Sequence, residues 1–283
     1  MKEFSEKVAV ITGAASGIGR GLVDRCVEEG MKVVLADLDE EGLAQAESEL
    51  QARGATTLVV VTDVSKADEV EALAQETLDA FGSVHLLCNN AGVTAGGSVW
   101  ETSLADWDWV MGVNLWGVIH GVRTFVPIML DQGAECHVVN TASAAGLLSS
   151  RGWGVYSVTK HGVVTLSEIL HHELAHKEAK VKVSVLCPGY VKTRILANAS
   201  RLKPAESQAD SHAGPMSAEE EESRWQEIAE SLNVLPVEAI ADAVFTAIRD
   251  EQFYVLTHPE FKPSIQMRME NILNDRNPVI PEL

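Results

Sequence analysis

The chain has 283 residues, 46% of them hydrophobic, and 22 Lys+Arg against 41 Asp+Glu give a net charge of −19. That length supports a sizeable core in one or two domains, and the acidic balance disfavours nucleic acid and anionic membrane surfaces as general partners. No uninterrupted apolar run reaches the ~20 residues of a membrane-spanning helix. The amino terminus, MKEFSEKVAVITG, lacks the apolar stretch of a signal peptide, so a cytoplasmic protein is expected.

Short β-branched runs alternate with helix-length segments about every 25 to 30 residues. Strands are predicted at Lys7–Thr12, Lys32–Asp37, Thr57–Thr62, Val84–Asn89, Cys136–Thr141, Val181–Cys187 and Phe253–Thr257. These runs are almost continuously apolar, as strands covered on both faces are. Between them, Leu43, Ala46 and Leu50, and then Val70, Leu73 and Leu78, recur at helical spacing. The alternation predicts an α/β fold: a doubly wound, seven-stranded, mostly parallel sheet with helices on both faces, in one domain over 1–283. Asn198 to Glu222 breaks the rhythm, with only Leu202 and Met216 as large apolar residues and the run Glu219–Glu222. A loop is expected there, disordered or serving as a substrate lid (about 194–235), followed by a short amphipathic helix carrying Trp225, Ile228 and Leu232. A carboxyl-terminal tail is expected over 259–283. Cys26, Cys88, Cys136 and Cys187 show no paired spacing, which predicts buried thiols and no metal site.

The first strand runs into Thr12-Gly13-Ala14-Ala15-Ser16-Gly17-Ile18-Gly19 and then an apolar helix. Such a turn lets backbone N–H groups approach a pyrophosphate at the positive helix end. Asp37 closes the second strand 18 residues after Gly19, close to the ~20 expected for a carboxylate on an adenosine ribose. Asn89-Asn90-Ala91-Gly92 ends the fourth strand, Ser143 follows the fifth, and Tyr156-Ser157-Val158-Thr159-Lys160 opens a helix. With Asn114 and Pro188-Gly189 in order, the stretch from about Lys7 to Thr193 resembles the short-chain dehydrogenase/reductase family, whose fold is of the Rossmann type.

Tyr156 and Lys160 are four residues apart, so on a helix they share a face and the ammonium favours the phenolate. The resemblance implies that Tyr156 exchanges the proton of a substrate hydroxyl, Ser143 hydrogen-bonds its oxygen, Lys160 holds the nicotinamide ribose, and Asn114 holds a water. It also implies cofactor contacts from Gly13, Ser16, Gly17, Ile18, Gly19, Asn90, the pair Asp63 and Val64, Pro188, Gly189, Val191 and Thr193. Asp37 would repel the 2′-phosphate of NADP, and Arg20 should face away from the ribose, so NAD is the expected cofactor. Leu147, Trp153, Tyr190 and Leu196 are expected pocket walls, which suits a hydrophobic secondary alcohol or ketone. A homotetramer or dimer is implied, with helices around Asp106–Gln132 and Tyr156–Lys177 pairing. His172-Glu173-Leu174-Ala175-His176 matches a zinc-protease signature, but His172 lies about 160° around the helix from Tyr156 and no metal is expected. An epimerase, lyase or dehalogenase on the same scaffold, and a nucleotide sensor without turnover, are the alternatives.

Overall fold

In a computed structural model, which describes residues 1–201, 203 and 217–279, seven strands form one sheet. They are β1 (Val8–Thr12), β2 (Lys32–Asp37), β3 (Thr57–Val61), β4 (Leu86–Asn89), β5 (Cys136–Thr141), β6 (Val181–Leu186) and, at the far edge, Tyr254–Val255. Their order is β3-β2-β1-β4-β5-β6 and then Tyr254–Val255, and every pairing is parallel. The helices are α1 (Gly17–Glu28), α2 (Glu40–Ala52), α3 (Ala67–Phe81), α4 (Leu104–Met111), α5 (Gly117–Gln132), α6 (Gly154–His176), α7 (Ile195–Arg201), α8 (Ala218–Ser231), α9 (Val237–Asp250) and α10 (Lys262–Leu273). Tyr190–Val191 (β7) and Val234–Leu235 (β8) pair separately, and Tyr254–Val255 is therefore β9.

All five residues of β1 are buried, and successive side chains enter different cores. Ala9 and Ile11 pack with Leu22 and Cys26 of α1, Leu43 and Leu50 of α2 and Val244 of α9. Val8 and Val10 pack with Leu73 of α3, Phe125 and Met129 of α5 and Leu170 of α6. Each of these large side chains contributes roughly 1.5–3 kcal/mol through burial. Helices on both faces therefore follow from strands that are apolar on both faces. The order of connection reverses between β1 and β4, and the carboxyl edge there is where ligands bind in such sheets.

Two expectations need correction. The stretch Asn198 to Glu222 is not loop throughout, because α7 and α8 occupy its two ends. Ser217 and Glu220 form a reciprocal capping box, so Glu219, Glu220 and Glu221 sit in the first turn of α8, where a helix favours negative charge. Leu202 and Met216 lie outside the described residues. The segment after Thr257 is not a plain tail but carries α10. Leu104–Gln132 is one continuous helical run through a π-helical turn at Gly112–Trp116, with a window of mean hydropathy 1.3. Its length and composition match a membrane span, although its inner face, including Asn114, Val118, Phe125 and Met129, is buried in the core.

The four cysteines are free and buried, and burial pushes the thiols up, to about 12 for Cys88 and Cys187 and about 11 for Cys136. His137, near the start of β5, is fully buried. Ser184 Oγ donates to the Gln252 carbonyl (2.6 Å), so it accepts from His137 Nε2–H (2.8 Å), leaving Nδ1 bare and without a partner. Burial above all, then the amino terminus and Lys182, pulls this imidazole down to about 3. An unfolded histidine titrates near 6.5, so between these values the unfolded chain binds the extra proton and stability falls with acid at ~1.4 kcal/mol per pH unit. In His137→Gln, denaturant unfolding should show a stability loss between pH 7 and pH 4 smaller by about 3 kcal/mol than in the parent.

Candidate active site

The turn after β1 is shaped by close backbone approach. Gly13 (φ +69°) and Gly17 (φ +55°) adopt left-handed conformations. A Cβ on Gly19 would lie 1.9 Å from the Gly13 carbonyl oxygen, so only glycine lets α1 start there. Thr12 ties this turn to the loop after β4. Its Oγ1 accepts from the N–H groups of Asn90 (2.9 Å) and Ala91 (3.1 Å), while Asn90 Nδ2 donates to the Thr12 carbonyl (3.0 Å). Thr141 Oγ1 at the end of β5 donates to Asn90 Oδ1 (3.3 Å). Ser16, Gly17 and Ile18 then present the start of α1 to a cavity of about 380 Å³ along the carboxyl edge.

Asp37 stands at one end of that cavity. Its Oδ2 accepts from Ala15 N–H (2.9 Å) and its Oδ1 from Asp39 N–H (3.0 Å). Burial raises its pKa, and those N–H groups hold it back. Arg20 points elsewhere, paired with Asp24 (3.1 Å) and Glu49 (2.7 Å). Asp63 and Val64 line the same end; the Asp63 carboxylate accepts from the Ser65 amide (2.9 Å) and hydroxyl (2.7 Å).

Ser143, Tyr156 and Lys160 line the other end. Lys160 Nζ lies 5.5 Å from the centre of the Tyr156 ring and donates to the Thr141 carbonyl (2.9 Å). Ser143 begins the short 3₁₀ turn Ala144–Gly146; its Oγ accepts from Ala145 N–H (3.1 Å) and donates to the Pro188 carbonyl (3.4 Å). The electrostatic expectation for this trio is corrected. Burial raises the Tyr156 phenol, against the Ser143 hydroxyl that lowers it, and burial lowers Lys160 to about 8. Burial penalises phenolate and ammonium alike.

Asn114 does not line the cavity. It is fully buried in the π-helical turn, where Oδ1 accepts from Val93 N–H (2.8 Å) and Nδ2 donates to the Val93 carbonyl (2.9 Å). A Cβ on Gly92 would stand 3.5 Å from Asn114 Oδ1 and 3.6 Å from Lys160 Nζ, so both groups back onto the same loop. Gly19 is likewise behind the surface. Pro188, Gly189, Val191 and Thr193 line the cavity after β6.

Of the expected walls, Trp153, Tyr190 and Leu196 face the cavity, but Leu147 does not. The 3₁₀ turn rotates Leu147 into the core beside Val118 and Val163, and Leu148 takes its place. The sequence did not mark Trp109 of α4, Val113 of the π turn, Arg194 just before α7, Arg224 of α8 or Phe261 of the carboxyl-terminal segment, which also line the cavity. Trp225 of α8 donates its Nε1–H to the Thr193 carbonyl (3.0 Å), and Arg201 of α7 pairs with Asp39 (2.7 Å). His172, Glu173 and His176 are exposed on α6.

The family model for short chain dehydrogenases matches residues 7–203. A solved structure of a short chain dehydrogenase/reductase from Burkholderia phymatum, in complex with NAD, is 46% identical, with a TM-score of 0.92 over 100% of both chains. A "CLA biosynthesis dehydrogenase/reductase" from Lactiplantibacillus plantarum is 34% identical over 98% of this chain and 97% of its own. A "C alpha-dehydrogenase" from Sphingobium sp. is 34% identical over 99% of this chain and 89% of its own.

Gly19→Ala forces a methyl group into the Gly13 carbonyl and should destabilise the chain by about 1–3 kcal/mol in denaturant unfolding. Gly133→Ala, at a position with open space but a strained φ of +63°, should cost about 1 kcal/mol.

Proposed function

Because the chain belongs to the short-chain dehydrogenase family, we propose that it is an NAD-dependent oxidoreductase acting between a hydrophobic secondary alcohol and its ketone. One observation carries this reading: a single cavity has Asp37 at one end and Ser143, Tyr156 and Lys160 at the other. The similar structure in complex with NAD supports the cofactor.

The residues fit a dinucleotide. The left-handed glycines and the bare start of α1 suit a pyrophosphate. Asp37, already anchored by two backbone N–H groups, would accept from ribose hydroxyls and repel a 2′-phosphate. Asp63 and Val64 would meet the adenine, and Asn90 would support the central part. Pro188, Gly189, Val191 and Thr193 would face the carboxamide. When bound, NAD supplies the hydride acceptor.

The remaining chemistry belongs to the chain. In the oxidation Tyr156 must first give up its own proton, and its phenolate oxygen then receives the substrate hydroxyl proton; in the reduction the neutral phenol donates that proton to the substrate oxygen. Ser143 donates to the substrate oxygen where charge develops. Lys160 holds the ribose and supplies the nearby positive charge, and Asn114 fixes the loop at Val93 and a water beside Lys160. Trp109, Val113, Leu148, Trp153, Tyr190 and Leu196 give the pocket apolar walls, which favour a hydrophobic substrate. Within the expected lid, α7 and α8 act as the cover of the cavity through Leu196, Arg224 and Ile228 in a single-domain chain, while Phe261 closes the pocket from the carboxyl-terminal side.

Trp116, Val158 and Ile169 are each about half exposed. Val158 and Ile169 are eleven residues apart and therefore within about 20° of one another on α6. This apolar stripe supports pairing of α4–α5 and α6 with a second copy in a homotetramer or dimer. Sedimentation should give a dimer or tetramer for the parent and a smaller species for Ile169→Asp; a monomeric parent would overturn the assembly.

A panel of secondary alcohols assayed with NAD and with NADP tests the activity. Turnover should be faster with NAD, and Tyr156→Phe should lose at least about 100-fold in kcat. Absence of turnover with every alcohol, or full activity in Tyr156→Phe, would sink the mechanism.

A further inference from the structure

The edge strand β9 pairs with β6 in parallel, Val185 beside Tyr254 and Leu186 beside Val255. Two parallel neighbours leave the sheet on the same edge, so the residues after β9 emerge beside those after β6. That delivers His258 to the turn Pro188–Tyr190. His258 is only 2% exposed although it is one residue from a proline in a surface segment.

Both ring nitrogens are used. Gly189 N–H donates to Nδ1 (3.0 Å), so Nδ1 carries no proton, and Nε2–H donates to the Tyr190 carbonyl (3.0 Å). Thr257 Oγ1 also lies 2.8 Å from Nδ1. The imidazole thus bridges the backbone groups of two consecutive residues, the Gly189 N–H and the Tyr190 carbonyl, at the entry to β7. The contact is tight: a Cβ on Gly189 would lie 2.8 Å from His258 Cγ and 2.3 Å from Phe261 Cε2.

The turn so held leads directly to the reactive end. The Pro188 carbonyl accepts from Ala144 N–H (2.8 Å) and from Ser143 Oγ (3.4 Å). Tyr190, whose carbonyl His258 holds, is a wall of the cavity and packs 6.4 Å from the Phe261 ring. We propose that His258 is a positioning residue of the active site, which fixes the Pro188–Tyr190 turn and through it Ser143 and the Tyr190 wall. The role in turnover rests on the proposed dehydrogenase function; the bracing of the turn does not.

The test uses the full chain with His258→Leu, which removes both bonds at similar volume, and His258→Asn, whose Oδ1 can replace Nδ1 as the acceptor for Gly189. Amide hydrogen exchange is followed over the segment covering Leu186 to Thr193, alongside kcat and the KM for NAD with a secondary alcohol. Exchange of that segment should accelerate at least about tenfold in His258→Leu and recover in part in His258→Asn, with the rest of the sheet unchanged. The kcat should fall at least about tenfold, with the KM for NAD within about threefold, because a small misplacement acts on the chemical step. Unchanged exchange in His258→Leu overturns the proposal, as does wild-type kcat in an active enzyme. Acceleration spread over the whole sheet in both variants also overturns it, since the histidine would then serve general stability. Localised acceleration in a chain that oxidises no alcohol would leave the bracing in place and remove the dehydrogenase function instead.

Discussion

The loop after β4 has to run through the interior beside the point where the order of connection reverses, and no strand lies alongside to take its backbone hydrogen bonds. Buried N–H and C=O groups without partners cost about 1–3 kcal/mol each, so side chains must stand in for the missing strand. Thr12 and the Asn114 carboxamide do this, Thr12 for Asn90 and Ala91 and Asn114 for both polar groups of Val93. The extra residue of the π-helical turn aims Asn114 at that loop. The glycine turn, clasped through Thr12 to Asn90, and Lys160, backed onto Gly92, then have fixed places relative to each other. The separation of the two ends of the cavity is set by this one solution to a satisfaction problem.

Much of the fold was legible because its signals are local. Runs such as KVVLAD and CHVVNT are apolar on both faces and became strands with the expected bounds, and the glycine turn carries its own steric logic. What stayed hidden depends on contacts between distant segments. Ser217 and Glu220 read as part of an acidic loop until their reciprocal bonds show a helix start. Leu147 and Leu148 are adjacent and chemically identical, and only the rotation of the 3₁₀ turn decides which one meets the cavity. His258, in a segment without periodicity, gains its environment from the register of a two-residue edge strand. For the residues that line the cavity, the sequence supplied chemical types and order, whereas depth came only from packing: Asn114 and Gly19 support the surface from behind.

Burial also changes the order in which the reactive pair would lose protons. Free tyrosine and lysine titrate close together, with the phenol slightly first. In the pocket, Lys160 falls to about 8 while Tyr156 rises, so the ammonium is the first to go. The resting pair near neutral pH is a neutral phenol beside a cation, rather than two opposite charges. Proton acceptance by the phenol oxygen therefore depends on groups brought to the pocket as well as on the lysine four residues along the helix.

The four thiols carry a practical consequence. All are enclosed, with burial holding them in the unreactive protonated form. The native fold therefore shields all four thiols from reagents in solution. A single cysteine introduced at an exposed site on α8, such as Gln226, would be the sole addressable thiol, and a fluorophore there could report on the surroundings of that helix beside the cavity without disturbing the native residues.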